Sequence, residues 1–439
     1  VTDALADLDR RHLWHPFTQH QAWNAEEPLI ITDAEGCWLR DDVGRRYLDG
    51  VSSLWCNVHG HRVPEIDAAV RDQLDRVAHT TLLGLSHPTA ITLAARLAAI
   101  APPGLTRVFY SDSGSTAAEV ALKMAFQYHR QRGAPERTRF ATLSGAYHGD
   151  TIGAVSVGAI DLFHETFRPL LFPTVVLPAP VTAGGAEEAD CLERALAALD
   201  AHGDQLAALV VEPLVQGAAG MKHHSPAFLR ALVARARALG ALVIADEVAV
   251  GFGRTGAMFA CELAEVRPDL LCLAKGITGG YLPLAATLAT DAIYEAFLAA
   301  PAAVRQFFHG HTYTGNPLAC AAALASLDLF AQREVLTHVR ALAARFGEHL
   351  DRMASLPGVA AVRHRGVLVG IDLVTPAGAP YPPEARAGHR LAMAVRARGV
   401  VLRPLGDTLV INPPLALSLD EADLLFSAVG DLLEAGTFV

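Results

Sequence analysis

Short apolar runs bounded by charge or glycine recur along the middle of this chain. They are Arg107-Val-Phe-Tyr, Arg139-Phe-Ala-Thr-Leu, Leu206-Ala-Ala-Leu-Val-Val, Ala241-Leu-Val-Ile-Ala and Leu270-Leu-Cys-Leu-Ala. Such runs read as strands buried on both faces, and amphipathic helical stretches such as 226–239 separate them. Strands alternating with helices across about 105–290 predict an α/β fold with a doubly wound, mainly parallel sheet. Before it, spacing at Ile66, Val70, Leu74 and Val77 predicts a helix over 64–78, and a second covers Pro88–Ile100 until Pro102-Pro-Gly stops it. After it, long helices are expected near 317–330 and 335–356, and Ser418-x-x-Glu421 caps a closing helix that ends at Gly436. Three short runs at 28–32, 37–40 and 46–49 form an antiparallel meander, and strands follow at 366–374 and on both sides of Gly406-Asp407. Residues 61–330 then make a large domain that carries the chemistry. Residues 1–60 and 331–439 make a smaller α+β domain.

Bulk composition narrows the class. A chain of 439 residues is too long for one ordinary core, and 51% hydrophobic with only 19% charged residues points to extensive burial and a subunit interface. Net charge is −10 with no basic cluster, which argues against nucleic acid. No uninterrupted apolar stretch is long enough to span a membrane, and the acidic start Thr2-Asp-Ala-Leu-Ala-Asp is unlike a signal peptide. Six cysteines without a Cys-x-x-Cys pair suit reduced, buried thiols. A soluble cytoplasmic protein is expected.

The candidate chemistry sits at the strand exits, where open parallel sheets bind ligands. One run ends in Asp246 and Glu247, and the next delivers Lys275 into a glycine-rich turn. An amine can condense with an aldehyde cofactor while an acid keeps a pyridine nitrogen protonated. Pyridoxal phosphate needs both, although a plain ion pair at the sheet rim is the simpler alternative. Ser113-Gly-Ser-Thr, between strand and helix, can offer free N–H groups to a phosphate, with Thr116-x-x-Glu119 as a capping box. Tyr147, among small residues at another exit, can lie flat on a ring, and Glu212 reaches the same level. His59-x-His61 lacks a third ligand nearby, so no metal is expected. Gly251-Phe-Gly-Arg-Thr-Gly matches a dinucleotide-binding fingerprint with Asp269 beyond it. Two acids nevertheless stand between strand and first glycine, where they would repel a pyrophosphate.

Taken together, Ser111-Asp-Ser-Gly-Ser, Gly145-Ala-Tyr-His-Gly-Asp-Thr, Ala245-Asp-Glu-Val, Gly251-Phe-Gly-Arg-Thr-Gly, Ala274-Lys-Gly and Thr314-Gly-Asn-Pro resemble the class III aminotransferases, which have the type I pyridoxal-phosphate fold. The resemblance runs from Leu13-Trp-His-Pro-Phe-Thr to Leu402-Arg-Pro-Leu. Those two segments, with Asp49-Gly-Val-Ser-Ser-Leu-Trp, are similar to the branch that aminates 8-amino-7-oxononanoate in biotin biosynthesis. The resemblance implies that Lys275 holds the aldehyde and shuttles a proton, that Asp246 pairs with the pyridinium and that Tyr147 stacks on the ring. It places Glu212 and His148 close by. Gly114 and Ser115 would bind the phosphate with Gly310, His311 and Thr312 from the partner subunit of a homodimer. Arg403 would clamp the keto substrate's carboxylate and Arg254 the amino donor's.

Phe17 and Leu54-Trp55 stand where the better-known form has Tyr and a Trp-Trp pair around the shared substrate pocket. A less aromatic wall suits a sulfonium poorly. Pro16-Phe-Thr-Gln and Asn57-Val-His-Gly-His match a branch that uses lysine, so lysine is the expected donor and S-adenosylmethionine the alternative. A class III enzyme for another substrate, such as an ω-amino acid, is the competing activity; Arg403 and the Trp55 loop argue against it. A non-catalytic cofactor-binding module would not need the set Lys275, Asp246 and Tyr147.

Overall fold

The apolar runs assemble into a seven-stranded sheet in a computed structural model that describes residues 2–436. Its spatial order is Leu105–Ser111, Ala285–Thr290, Leu270–Leu273, Leu242–Asp246, Leu206–Val211, Arg139–Leu143 and Thr174–Leu177. Every residue of Leu206–Val211 is buried, as expected of a central strand covered on both faces. Ala285–Thr290 is antiparallel to both neighbours and all other pairings are parallel. The exception has a simple cause. The link from Leu273 to Ala285 holds one 3-10 turn, Lys275–Thr278, and is too short for a crossover helix. The chain therefore doubles straight back after Lys275.

Ser113 begins the Gly114–Gln131 helix, and the capping box pairs Ser113 with Thr116. Thr116-x-x-Glu119 was expected to cap, but the helix starts at Gly114, which puts Thr116 at the third position instead of the first. Glu119 is thereby free to accept the Gly153 and Ala154 N–H groups at 2.6 and 3.1 Å. The helix expected over 64–78 ends sooner, as Pro64–Leu74.

Two smaller four-stranded sheets sit beside the large one. The antiparallel meander Ile31–Glu35, Trp38–Asp41 and Arg46–Asp49 forms as expected. The stretch expected as one strand before Gly406 divides. Val400–Val401 adds in parallel to Arg46–Asp49, and Arg403–Leu405 pairs with Thr408–Ile411 in the second sheet. Buried Leu402 is the crossing point. A Cβ at Gly50 would come within 2.4 Å of the Leu402 side chain, so only glycine allows this approach. One crossing thus brings the N-terminal strands beside Arg403. Among the described residues no helix is long and apolar enough to cross a membrane.

The long helices Val335–Met353 and Leu419–Ala435 pack through Phe346 and Phe426, whose rings meet edge-on at 4.8 Å and 71°. Phe346 is fully buried. Phe346→Ala is expected to cost about 3–5 kcal/mol through lost burial and an unfilled cavity. A lowered unfolding temperature checks this; an unchanged one would mean that the two helices do not depend on this contact.

Candidate active site

The strand exits, the Lys275 turn and the start of the Gly114–Gln131 helix enclose a cavity of about 730 Å³. Its walls include Trp55, Gly114, Ser115, Tyr147, Glu212 and Lys275, with Asp246 and His148 among the other lining residues. Eight of the residues singled out from the sequence thus converge. Asp246 Oδ1 accepts the Val248 N–H at 3.0 Å, and Oδ2 lies 2.7 Å from His148 Nδ1. Burial works against a charged His148, but the hydrogen bond and charge of Asp246 outweigh it and raise the imidazole above its ordinary value. Burial lowers Lys275, with the charges of Asp246 and Glu212 opposing. Lys275 has φ 30°, a strained value for a residue with a Cβ, and its Nζ lies 5.5 Å from the Trp55 ring centroid.

Glu212 accepts the Tyr147 N–H at 3.2 Å and the Gly217 N–H at 2.9 Å, tying two walls of the cavity together. Burial pushes its carboxyl up to about 7, with Asp246 adding to the shift and His148 opposing it. The Tyr147 hydroxyl donates to Asp150 at 2.8 Å. Glu247, the second acid at the same exit, accepts the Ala260 and Cys261 N–H groups at 2.7 Å each and points away from the cavity. Asp269 accepts the Val243 N–H at 2.8 Å, so it serves the strand start and no ribose. His59 is engaged by Ser326 and His61 by Asp49, which leaves neither poised for a metal.

The residues expected around the substrate separate. Phe17, Leu54 and Arg403 line a second cavity of about 510 Å³, under the N-terminal segment 16–28. Phe17 meets Phe163 edge-on at 5.3 Å, and Phe163 meets Tyr147 at 6.2 Å, so aromatic rings connect the two spaces. Arg403 is exposed, has no carboxylate partner among the described residues, and its guanidinium lies 6.0 Å from the Phe17 ring centroid. Gly310 and Thr312 are exposed and line neither cavity; His311 Nε2 lies 4.0 Å from Asp112, at the rim of the first.

Arg254 requires a correction. It was expected to bind the donor carboxylate, yet it is fully buried and lines neither cavity. Its guanidinium donates to Asn412 Oδ1, the Pro413 carbonyl, Ser52 Oγ and the Asn57 carbonyl at 2.9, 2.5, 3.1 and 2.8 Å. Its donors are spent inside the chain. The glycines of 251–256 make a tight turn, with Gly253 and Gly256 at φ 90° and 95°, that drives Arg254 inward. They form no phosphate loop.

Ser52, Ser53, Leu54 and Trp55 all have positive φ, at 46°, 43°, 70° and 71°. Each left-handed residue with a Cβ costs roughly 1–2 kcal/mol, so polar contacts must hold this turn. Asp49, absent from the expected site, holds Ser53 through its N–H and hydroxyl, while Asn412 and Arg254 hold Ser52. The signal was present in Asp49-Gly-Val-Ser, since an aspartate readily bonds the N–H two residues on.

A mainly parallel sheet with a lysine, a paired aspartate and a helix N-terminus at its exits is an arrangement that suits a pyridoxal-phosphate enzyme. The sequence matches the model of the family "Aminotransferase class-III" over residues 20–433, and the chain belongs to that family. It is 54% identical to an adenosylmethionine-8-amino-7-oxononanoate aminotransferase of Nitratidesulfovibrio vulgaris, over 99% of this chain and 82% of that one. The crystal structure of the enzyme of that name from Methanocaldococcus jannaschii superposes with TM-score 0.94 at 40% identity, over 98% of this chain and 99% of the other. An amine transaminase from an uncultivated Pseudomonas species, solved in its PLP-bound form, superposes with TM-score 0.90 at 36% identity, over 97% and 98%.

The raised Glu212 carboxyl has a consequence for stability. Between its ordinary value of 4.5 and about 7 it is protonated in the folded chain and ionised in the unfolded one, so its contribution to stability falls as pH rises through that window. Glu212→Gln is therefore expected to flatten the decline of the unfolding temperature between about pH 5 and about pH 8. Parallel declines in both proteins would remove Glu212 as the source.

Proposed function

We propose that this chain is a pyridoxal-phosphate-dependent transaminase that aminates 8-amino-7-oxononanoate to 7,8-diaminononanoate, a step of biotin biosynthesis, with S-adenosylmethionine as amino donor. The observation that carries it is one cavity uniting Lys275, Asp246 and the Gly114–Gln131 helix N-terminus beside a second that ends at unpaired Arg403. The names of the relatives support the substrate.

The residues present fit the cofactor. No acceptor among the described residues takes up the Gly114 and Ser115 N–H groups, which a phosphate suits. Val248 would crowd any Cβ at Gly114 to 2.5 Å, so the backbone stays open there. When bound, pyridoxal phosphate supplies an aldehyde for the amino group and a ring that takes up electrons. Asp246, oriented by His148, would keep the ring nitrogen protonated. Lys275, whose neutral form burial favours, would be the amine that holds the aldehyde and would serve as base toward the substrate proton. Glu212 orients the Tyr147 backbone beside the ring, and Tyr147 and Trp55 exclude water. Arg403 binds the far carboxylate of the keto substrate, and Phe17 and Leu54 line its path.

The enzyme works in the cytoplasm as a homodimer, in which Gly310, His311 and Thr312 reach the phosphate end of the partner's site. The exposure of Gly310 and Thr312 and the absence of all three from the lining of their own cavity favour this. The separate sheets support the division into residues 61–330 and a smaller domain from 1–60 and 331–439.

The donor expected from Phe17 and Leu54 was lysine. Both residues line the Arg403 cavity and only Trp55 faces Lys275, so the aromatic deficit lies away from the reacting amine. The relatives' names favour adenosylmethionine. Mixing the loaded enzyme with each donor alone is expected to bleach the cofactor's visible band with adenosylmethionine; bleaching by lysine alone would reverse the assignment. Arg403→Met is expected to raise KM for the keto acid roughly 10–100-fold, the value of a charge-assisted hydrogen-bond pair, with a smaller change in kcat. An unchanged KM would move the carboxylate site elsewhere and favour the amine-transaminase reading.

A further inference from the structure

Consecutive residues of the left-handed turn face different spaces: Ser53 and Leu54 line the Arg403 cavity, while Trp55 lines the Lys275 cavity. Few apolar contacts hold Leu54, which is 43% exposed. The hold is polar and converges on one buried carboxylate. Asp49 Oδ1 accepts the Val51 and Ser53 N–H groups at 3.2 and 3.0 Å, and Oδ2 accepts the Ser53 hydroxyl at 2.9 Å and lies 3.2 Å from His61 Nε2. Asp49 is itself fixed, since its N–H donates to the Cys37 carbonyl at 2.8 Å and its backbone pairs with Val401. From the opposite side, Ser52 Oγ donates to the Asn412 carbonyl at 2.8 Å and accepts from Arg254 at 3.1 Å. The Trp55 ring ends against Gly217, where an added Cβ would approach it to 3.1 Å, and the Gly217 N–H is held by Glu212.

We propose that Asp49 is a positioning residue for substrate discrimination: by holding the Ser52–Trp55 turn left-handed, it presents Trp55 to the reacting amine and Leu54 to the substrate's carboxylate tail. The assignment of those two ends rests on the transaminase reading above. Arg254 and Ser52 act as the second clamp of the same turn. Without the Asp49 carboxylate, the Ser53 N–H and hydroxyl lose their partners and the four residues relax toward right-handed backbone, which turns Trp55 off Gly217 and Leu54 out of the tail cavity.

The test uses full-length holoenzyme carrying Asp49→Ala, Asp49→Asn or the milder Ser53→Ala. Asp49→Ala is expected to raise KM for the keto acid at least tenfold and to shift the kcat/KM ratio between adenosylmethionine and lysine by a similar factor. The cofactor band and most of kcat should remain. Asp49→Asn keeps an acceptor for both N–H groups and should recover most of the loss, with Ser53→Ala between wild type and Asp49→Ala. Trp55 emission, taken as the difference from matched Trp55→Phe chains, should move to the red in Asp49→Ala and return in Asp49→Asn; it needs no turnover. A wild-type chain inactive on the keto acid with every donor would sink the transaminase reading, while the emission shift would still report the turn. Unchanged emission and donor ratio in Asp49→Ala, or a uniform loss of kcat with loss of the cofactor band, would overturn the positioning role.

Discussion

A carboxylate buried at the exit of a parallel strand must be matched by a donor, or burial drives it to take a proton. In this chain the match is the Asp246–His148 pair at 2.7 Å, and the active cavity is arranged around it. Leu242–Asp246 brings the acid to the carboxyl end of the sheet, and the loop after Arg139–Leu143 brings the imidazole to meet it. The amine arrives from the adjacent strand, Leu270–Leu273, whose chain turns back at once. The acid and the amine therefore come from adjacent strands, the imidazole comes from a strand two places away, and the rigidity of the sheet sets their spacing. Glu212, at the exit of the strand between those of Asp246 and His148, braces the wall that carries Tyr147.

A second set of buried polar contacts shapes the space around that centre. Asp49 and Arg254, both fully buried, grip opposite sides of one strained turn. Strain of this kind persists only where the surroundings over-determine it. Here they do, because Asp49 ends a strand of the N-terminal sheet while Asn412 and Pro413 follow a strand of the C-terminal sheet. The turn is gripped between two parts of the chain that are far apart in sequence. Arg403 joins this arrangement through Leu402, where the chain crosses from one small sheet to the other.

Period and punctuation were enough to read the strands around Asp246 and Lys275, the helix after Ser113, and the closing helix between Ser418 and Gly436. Apolar runs and caps are local properties, and local sequence dictates them. The acid, the amine and the Ser113-Gly-Ser-Thr turn were legible as strand exits and a helix start for the same reason, since each stands at the end of an element that its own residues define. Tyr147 and Glu212 were legible as strand-exit residues, though their mutual bond was not.

Only the tertiary structure decided which buried groups face each other. Arg254 looked like a ligand-binding arginine in a glycine-rich turn, and the fold spends its donors on residues 52, 57, 412 and 413. Glu247 and Asp246 are adjacent in sequence, yet one caps a helix and the other faces the cavity, because the extended chain points successive side chains to opposite sides as it leaves the strand at Asp246. The strand around Leu402 divided because Arg46–Asp49 offered its free edge to Val400–Val401. Composition and spacing determine elements and the chemistry at their ends. Pairing between segments hundreds of residues apart depends on the whole packed chain, and there the tertiary structure turned a suspected ligand-binding arginine into scaffold and gave Asp49 the hold on the Ser52–Trp55 turn.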